Sequence, residues 1–309
     1  MTKVLAIGRY DDNDLAALRE MFGAACLDGL AGLYGFAGRE GVEALAYKGA
    51  ARLDAEAMAL LPNLRLIANY GVGYDAIDVD AATARGISVT NTPEVLNDDV
   101  ADLAVAIWLA QAREIEAGAA HVRSGAWTKG PLPLARKASG RRVGVLGLGR
   151  IGREIADRLA AFKCEIHYYA RSPKDAPGWT FHADPVALAQ AVDDLFIAVI
   201  GGPETKNLVD ASVINALGPD GVVVNISRGS VVDEPALLDA LEQTRIRGAA
   251  LDVFRDEPSP NPRLTALPQV LPLPHIGSAT TETRARMGEL QRRNIAAHLA
   301  GEALLTPVN

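Results

Sequence analysis

The chain has 309 residues, 49% of them apolar and 22% charged, which is the balance of an ordinary globular protein with room for two domains. Its net charge of −7 argues against a nucleic-acid binder, because such proteins carry basic surfaces. No apolar run is long enough for an export signal or a membrane span, and the two isolated cysteines suit a reducing compartment. We therefore expect a cytoplasmic protein that acts on neither nucleic acid nor membrane.

The first part of the chain alternates between predicted strands and helices. Short apolar runs predict strands at Val4–Gly8, Ala44–Tyr47, Leu64–Ala68 and Ile87–Val89. Apolar residues at helical spacing predict helices at Asp11–Phe22, Asp54–Leu61 and Val79–Arg85. The glycine-rich residues 23–41 predict turns and loops. This alternation indicates a parallel sheet covered by helices on both faces.

The alternation pauses in the middle of the chain. Leu103, Ile107 and Ala110 share one face of a segment that we predict as one long helix, Asn97–Ala120. Gly125–Gly140 follows, with two prolines and three basic residues, and is predicted as a long loop.

A glycine turn starts a second alternating series. The strand predicted at Val143–Leu146 runs into a G-x-G-x-x-G pattern at Gly147, Gly149 and Gly152, and the helix predicted at Arg150–Phe162 follows. The three glycines suit, in order, a tight turn, the approach of a pyrophosphate to the backbone, and close packing of helix on strand. The pattern alone is weak, but a strand before it and a helix after it favour a dinucleotide site.

The second series continues to the end of the chain. Further strands are predicted at Glu165–Tyr169, Leu195–Ile200, Val222–Ile226 and Gly248–Val253, and helices at Asp184–Val192, Ala211–Leu217, Glu234–Gln243 and Thr281–Leu299. We predict an α/β fold with two doubly wound domains, a Rossmann dinucleotide-binding domain at residues 98–281 inserted in a flavodoxin-like substrate domain at residues 1–97 and 282–309. The cleft between the domains is the expected site.

The end of the second strand of this series indicates which dinucleotide is bound. An acidic residue that would accept hydrogen bonds from the adenosine ribose is absent, because Ala170 stands in its place. Arg171, with Ser172 and Lys174 beside it, would attract a 2′-phosphate, which predicts a preference for NADP(H) and leaves NAD(H) possible. The alternative is that these cations are solvated and that Asp175 binds the ribose.

Three later segments carry residues suited to catalysis. Arg228 follows the strand VVVNI, Glu257 closes the segment DVFRDE, and His275 follows an apolar stretch. All three lie at carboxyl ends of predicted parallel strands, where ligands bind in such sheets. A cation, a carboxylate and a histidine suit the reduction of a 2-oxoacid, although each residue alone is more often structural.

The motifs together resemble one family. GLGRIG, NISRG, ALDVFRDEP and PHIGSAT, with NYGVGYDAID and VTNTPEVLNDDVADLA before them, resemble the D-isomer-specific 2-hydroxyacid dehydrogenases over nearly the whole chain. The chain looks most like the glyoxylate/hydroxypyruvate reductase branch, and hydroxyphenylpyruvate reductases are similar in the same stretch.

The resemblance implies roles for particular residues. His275 is expected to be the acid/base, paired with Glu257, and Arg228 to bind the substrate carboxylate and carbonyl oxygen. Backbone N–H groups of Val72 and Gly73 are expected to hold the carboxylate as well. The expected cofactor contacts are Gly147, Gly149, Arg150, Ile151 and Gly152 at the pyrophosphate, Arg171, Ser172, Lys174, Pro203 and Thr205 on the adenosine side, and Ile226, Asp252 and Ser278 near the nicotinamide, Ser278 also near the substrate.

We therefore expect NADPH-dependent reduction of glyoxylate or hydroxypyruvate to the D-2-hydroxyacid, with His275 as proton donor. A hydroxyphenylpyruvate-type reductase is an alternative, for which Tyr74 and Trp127 are candidate pocket residues. A non-catalytic NAD(P)H-sensing regulator is an alternative of another class. The resemblance also implies a homodimer formed through the cofactor domain, with Asn97–Ala120 as its expected surface.

Overall fold

A computed structural model describes residues 2–309, which divide into two compact units. The first unit contains the described residues up to Leu96 together with Ala279–Asn309, and the second contains Asn97–Ser278. None of the helices formed by residues 2–309 combines the length and the apolar character that crossing a membrane requires.

The first unit is built on a five-stranded parallel sheet. Its strands are β1 (Val4–Gly8), β2 (Ala25–Leu27), β3 (Ala44–Lys48), β4 (Leu66–Asn69) and β5 (Ser88–Thr90). Its helices are α1 (Asp12–Phe22), α2 (Ala55–Ala59), α3 (Val79–Ala84) and the last helix of the chain, Thr281–Ala300. The strand order β2-β1-β3-β4-β5 is the flavodoxin-like order.

Both faces of this sheet are buried, which explains its nearly continuous apolar strands. Leu5 and Ile7 of β1 pack on one face with Ile67 of β4. Ala6 of β1 points to the other face, where it packs with Ile295 of the last helix. That helix covers β3 and β4, so the end of the chain returns to the first unit.

The second unit is built on a seven-stranded parallel sheet. Its strands are β6 (Arg142–Leu146), β7 (Glu165–Tyr169), β8 (Thr180–His182), β9 (Asp194–Ile197), β10 (Val222–Asn225), β11 (Gly248–Leu251) and β12 (Val270–Pro272). Its helices are α4 (Asn97–Ala112), α5 (Ile115–Arg123), α6 (Arg150–Ala161), α7 (Pro185–Ala191), α8 (Ala211–Leu217), α9 (Glu234–Glu242) and α10 (Pro262–Thr265), so Thr281–Ala300 is α11. The order β12-β11-β10-β9-β6-β7-β8 is the Rossmann order, and the predicted fold class is confirmed.

A buried polar network fixes α4 and the following loop to this sheet. The carboxylate of Asp194, which is fully buried at the start of β9, accepts hydrogen bonds from Trp108 at 2.9 Å, from Arg136 at 2.5 Å and from Arg141 at 3.1 Å. A buried carboxylate of this kind is tolerated because its charge is paired and its lone pairs are satisfied.

The structure corrects two predictions of local structure. The long helix predicted at Asn97–Ala120 is two helices, because Glu114 adopts a left-handed backbone conformation, φ 51°, that ends the first one. The segment 23–41 is not all loop, since it contains β2 and two short 3₁₀ turns. A strand of three residues at a sheet edge carries too short an apolar run to be recognised.

Candidate active site

Arg228 lies in a tight turn after β10, at the carboxyl edge of the seven-stranded sheet. The side-chain amide of Asn225 donates to the carbonyl of Arg228 at 3.0 Å and its oxygen accepts from the N–H of Ser227 at 3.0 Å. The hydroxyl of Ser227 donates to the carbonyl of Val199 at 2.6 Å. Two buried polar side chains therefore fix the turn that presents the half-buried arginine.

His275 and Glu257 form a hydrogen-bonded pair at the same edge, after β12 and β11. Nδ1 of His275 lies 2.7 Å from one carboxylate oxygen of Glu257, and the other oxygen accepts from the N–H of Phe254 at 2.9 Å. Burial would raise the pKa of Glu257, but the hydrogen bond from His275, the charge of His275 and the charge of Arg228 together lower it. Glu257 is therefore ionised and orients the imidazole with Nε2 directed away from the pair.

The backbone around His275 is held in an unusual conformation. His275 has φ of 54°, a left-handed value that costs a non-glycine residue roughly 1–2 kcal/mol. Asp252 offsets this conformational cost, because its buried carboxylate accepts hydrogen bonds from the N–H groups of Ile276 at 2.7 Å and Gly277 at 2.8 Å. Burial raises the pKa of Asp252, and these two backbone hydrogen bonds oppose the rise.

A cavity of about 300 Å³ opens beside the His275–Glu257 pair. Apart from the pair its walls are apolar, and they are formed by Phe254, Pro258, Pro260, Pro272, Leu273 and Pro274. An apolar wall strengthens the electrostatic interaction of the pair, because it lowers the local dielectric constant.

The glycine turn between β6 and α6 fits the pyrophosphate of a dinucleotide. Gly147 has φ of 105°, and a Cβ on Gly152 would overlap the carbonyl oxygen of Gly147, so both positions require glycine. Gly149 faces open space and caps α6 without any side-chain hydrogen bond, whereas α1, α7 and α9 are capped by aspartates. The helix α6 therefore begins without a side-chain cap, an arrangement that is typical of anion-binding helix N-termini.

The segment after β7 presents the cations predicted to recognise a 2′-phosphate. Arg171, Ser172 and Lys174 are exposed, and the hydroxyl of Tyr168 accepts from the N–H of Lys174 at 2.9 Å. Arg153 of α6 anchors the far side of this segment, because it donates to the carbonyl of Asp175 and its guanidinium lies 5.2 Å from the ring of Trp179. The segment is thus anchored at both ends.

The remaining cofactor candidates after β9 and β10 are the exposed Pro203, the half-buried Thr205 and the buried Ile226. Ser278 is the half-buried last residue of the second unit.

The loop of Val72 and Gly73 follows β4 in the first unit. The buried side-chain amide of Asn69 donates to the carbonyls of Gly71 at 3.1 Å and Gly73 at 2.9 Å, and Asn91 donates to the carbonyl of Val72 at 2.9 Å. Within the described residues 2–309, the N–H groups of Val72 and Gly73 have no hydrogen-bond acceptor. The loop therefore has its carbonyls paired with amide side chains, while these two backbone donors are unpaired within the described residues.

The structure adds residues that the sequence analysis did not identify. Asn69, Asn91, Asn225 and Ser227 shape the two loops, and the signal available for them was a polar residue at the end of an apolar strand. Tyr74, a candidate pocket residue, packs against the core of the first unit, whereas Trp127 is 66% exposed.

Comparison with known proteins identifies relatives along the whole chain. The family model described as "D-isomer specific 2-hydroxyacid dehydrogenase, NAD binding domain" matches residues 105–277. A hydroxyphenylpyruvate reductase of Plectranthus scutellarioides is 45% identical over 269 residues, which are 87% of this chain and 86% of that protein. A glyoxylate/hydroxypyruvate reductase A of Arabidopsis thaliana is 44% identical over 270 residues, with coverage of 87% and 86%.

Among solved structures, an NADPH-dependent glyoxylate/hydroxypyruvate reductase of Sinorhizobium meliloti, in complex with NADP and malonate, is similar with a TM-score of 0.94 and 41% identity. The match covers 99% of this chain and 96% of that one.

Proposed function

This chain belongs to the D-isomer-specific 2-hydroxyacid dehydrogenase family, and we propose that it reduces a small 2-oxoacid to the D-2-hydroxyacid with NADPH. Membership makes the protein an oxidoreductase that acts on CH–OH donors with a nicotinamide cofactor. The proposal of 2-oxoacid reduction rests on the arrangement of Arg228, Glu257 and His275 at the ends of three neighbouring strands. His275 and Glu257 are joined by a hydrogen bond of 2.7 Å.

Each of the three side chains has its own proposed role in the reduction. When bound, the nicotinamide supplies the hydride that reaches the 2-oxo carbon. His275, whose Nδ1–H donates to Glu257, gives a proton from Nε2 to the carbonyl oxygen. Arg228 binds the substrate carboxylate and stabilises the negative charge that develops on that oxygen. The N–H groups of Val72 and Gly73 hold the carboxylate as a second set of donors.

The cofactor is proposed to be held along the carboxyl edge of the seven-stranded sheet. Gly147, Gly149 and Gly152 with the first N–H groups of α6 bind the pyrophosphate, and Ile226, Asp252 and Ser278 lie along the nicotinamide. A preference for NADPH is supported by Ala170, where an acidic residue would repel a 2′-phosphate, and by Arg171 and Lys174, which would attract it. NADH is expected to be used less efficiently.

Glyoxylate and hydroxypyruvate are the proposed substrates. The branch resemblance and the activities for which the Arabidopsis and Sinorhizobium relatives are named support this choice. Hydroxyphenylpyruvate is the second candidate, because the Plectranthus relative carries that activity in its name. Tyr74, one of the two aromatic residues considered for such a pocket, is partly buried against the core of the first unit.

The protein is further proposed to form a homodimer through α5 and the segment that follows it. α4 is largely buried inside its own unit, so it offers less surface than expected. By contrast, Val122, Trp127 and Leu134 are exposed, and exposed apolar side chains of this kind mark protein interfaces. Sedimentation of the wild type and of Leu134→Asp tests this, with a dimer expected for the first and a monomer for the second.

The experiment that tests the function is a substrate panel followed by NADPH absorbance. Glyoxylate, hydroxypyruvate, 4-hydroxyphenylpyruvate and pyruvate are each offered with NADPH and with NADH. We expect the highest kcat/KM with NADPH and one of the first two acids. Absence of oxidation with every acid would favour the NAD(P)H-sensing regulator and reject the enzyme.

The same assay tests the cofactor assignment. Arg171→Ala is expected to raise KM for NADPH at least about tenfold while changing KM for NADH little, because only NADPH carries the phosphate. Arg19→Ala, which removes an exposed arginine from α1, is the matched control. Equal increases for the two cofactors would reject the assignment of Arg171.

A further inference from the structure

A group of aromatic and cationic side chains lies at the carboxyl edge of the five-stranded sheet. Lys48 is the last residue of β3, and its Nζ lies 4.1 Å from the ring centre of Tyr70 and 5.2 Å from that of Tyr10. The two rings meet edge to face, with centres 5.8 Å apart. The lysine side chain is only 19% exposed, so its charge is held against the rings instead of extending into water.

A second cation lies on the other side of this group. The guanidinium of Arg284, in α11, is 5.9 Å from the ring centre of Tyr70, and the hydroxyl of Tyr70 donates to the carbonyl of Arg284 at 2.8 Å. The ring of Tyr70 therefore lies near two cations, one carried by the sheet and the other by the helix.

The two positive charges are poorly neutralised. The carboxylate of Asp11 is 4.0 Å from Nζ of Lys48, at the limit of an ion pair, and no carboxylate in residues 2–309 forms an ion pair with Arg284. The nearby Asp14 binds Arg292 through one carboxylate oxygen, and its other oxygen is buried with no hydrogen-bond partner among the described residues. Burial lowers the pKa of Lys48, and the charge of Arg284 lowers it further, against the opposing effect of Asp11 and Asp14. An anion placed between the two cations would relieve this repulsion.

The position of this group points to the substrate as the source of the anion. Tyr70 stands two residues before Val72 in the loop that follows β4, so one loop carries both the tyrosine of this group and the two N–H donors proposed to hold the substrate carboxylate. A substrate whose first carboxylate is bound by Val72 and Gly73 would have its distal end on the same edge of the sheet.

We propose that Lys48 and Arg284 form a subsite for a second carboxylate, so that the protein accepts 2-oxo dicarboxylic acids and not only monocarboxylic ones. This inference rests on the proposed 2-oxoacid reductase activity. The alternative is that Lys48 only packs on the tyrosines and supports the loop, in which case it would affect all substrates alike.

Two substrates of equal chain length separate these explanations. Oxaloacetate and 2-oxobutyrate differ in having a carboxylate or a methyl group at the distal end, and each is assayed with NADPH. The wild type is expected to have the higher kcat/KM with oxaloacetate. In Lys48→Met, which keeps an unbranched side chain without the charge, the ratio of the two kcat/KM values should fall about 10- to 100-fold. Lys48→Arg should restore most of the ratio, and Arg284→Gln should lower it like Lys48→Met.

The outcomes distinguish failure of the subsite from failure of the function. A wild type that reduces glyoxylate but has no preference for oxaloacetate, or a Lys48→Met variant in which the ratio is unchanged, would overturn the subsite and leave the reductase intact. A parallel loss for both substrates, not recovered in Lys48→Arg, would identify a supporting role only. A wild type that reduces no 2-oxoacid would overturn the proposed function and this inference with it.

Discussion

The carboxyl edges of the two sheets differ in what they place beside a ligand. The edge of the five-stranded sheet carries the donors of Val72 and Gly73 and the cations Lys48 and Arg284, with loop carbonyls fixed by amide side chains. The edge of the seven-stranded sheet carries His275 hydrogen-bonded to an ionised carboxylate. Both sheets are parallel and doubly wound, and ligands bind at the carboxyl edge of such sheets. Whether an edge is suited to binding or to proton transfer therefore depends on the side chains that it carries.

The difference has a physical basis. Binding an anion requires fixed donors and positive charge, and buried amides that hold a loop provide this at little cost. Proton transfer requires a group that changes charge during the reaction, which has to be oriented and electrostatically stabilised in both states. On the edge of the seven-stranded sheet, the left-handed backbone of His275 is stabilised by the hydrogen bonds that Asp252 accepts from the residues after it.

The largest effect is expected when the proton donor is removed. His275→Ala should lower kcat about 10²- to 10⁴-fold, the range typical of a lost general acid, with a smaller change in KM. Steady-state reduction of the best substrate measures it. His298→Gln, which changes the half-buried histidine of α11 in the first unit, is the control. Normal turnover by His275→Ala would remove the chemical distinction between the two edges.

Replacement of the Arg228 guanidinium should have the next largest effect. Arg228→Lys keeps a positive charge but removes the planar pair of donors, so kcat/KM is expected to fall about 10²- to 10³-fold. Arg255→Lys, in the segment after the neighbouring strand, removes an exposed arginine bound to Asn207 and is the matched control. Full activity in Arg228→Lys would mean that a positive charge suffices at this position and that the planar pair of donors is not needed.

The two edges were not equally predictable from the sequence. Arg228, Glu257 and His275 could be found because each follows a continuous apolar run, and parallel strands bring their carboxyl ends together. Lys48 follows such a run too, but a lysine at a strand end is normally solvated, and its contact with Tyr10 and Arg284 depends on residues distant in the sequence. The hydrogen bonds of Asn69 are likewise visible only when the loop conformation is known.

A smaller effect is expected when the carboxylate partner of His275 loses its charge. Because the pKa of Glu257 is lowered, its stabilisation of the folded pair is complete above the ordinary glutamate pKa and is lost only as the pH falls through the lowered value. Glu257→Gln keeps an acceptor oxygen but no charge, so the charged imidazole is less favoured. We therefore expect the pH profile of kcat/KM to differ between the wild type and Glu257→Gln.

The measurement is a full pH profile of the wild type and of Glu257→Gln. Glu242→Gln, which removes an exposed carboxylate paired with Arg263, controls for general charge effects. An unchanged profile with reduced kcat at every pH would show that Glu257 positions His275 by geometry alone. The acid–base pair would then depend on the orientation of the imidazole and not on the charge of its partner.

The smallest effect belongs to the binding edge and tests whether its loop acts through orientation alone. Asn69→Ala removes both hydrogen bonds to the carbonyls of Gly71 and Gly73, at a cost in folding free energy of about 1–3 kcal/mol. The donors of Val72 and Gly73 would then be less well aligned, so KM for the 2-oxoacid should rise about tenfold while kcat changes less, because no group that changes charge is touched. Asn63→Ala, which removes an exposed amide bond to Glu40 in the same unit, is the matched control for stability. A fall in kcat comparable to that of His275→Ala would contradict the assignment of binding to one edge and chemistry to the other.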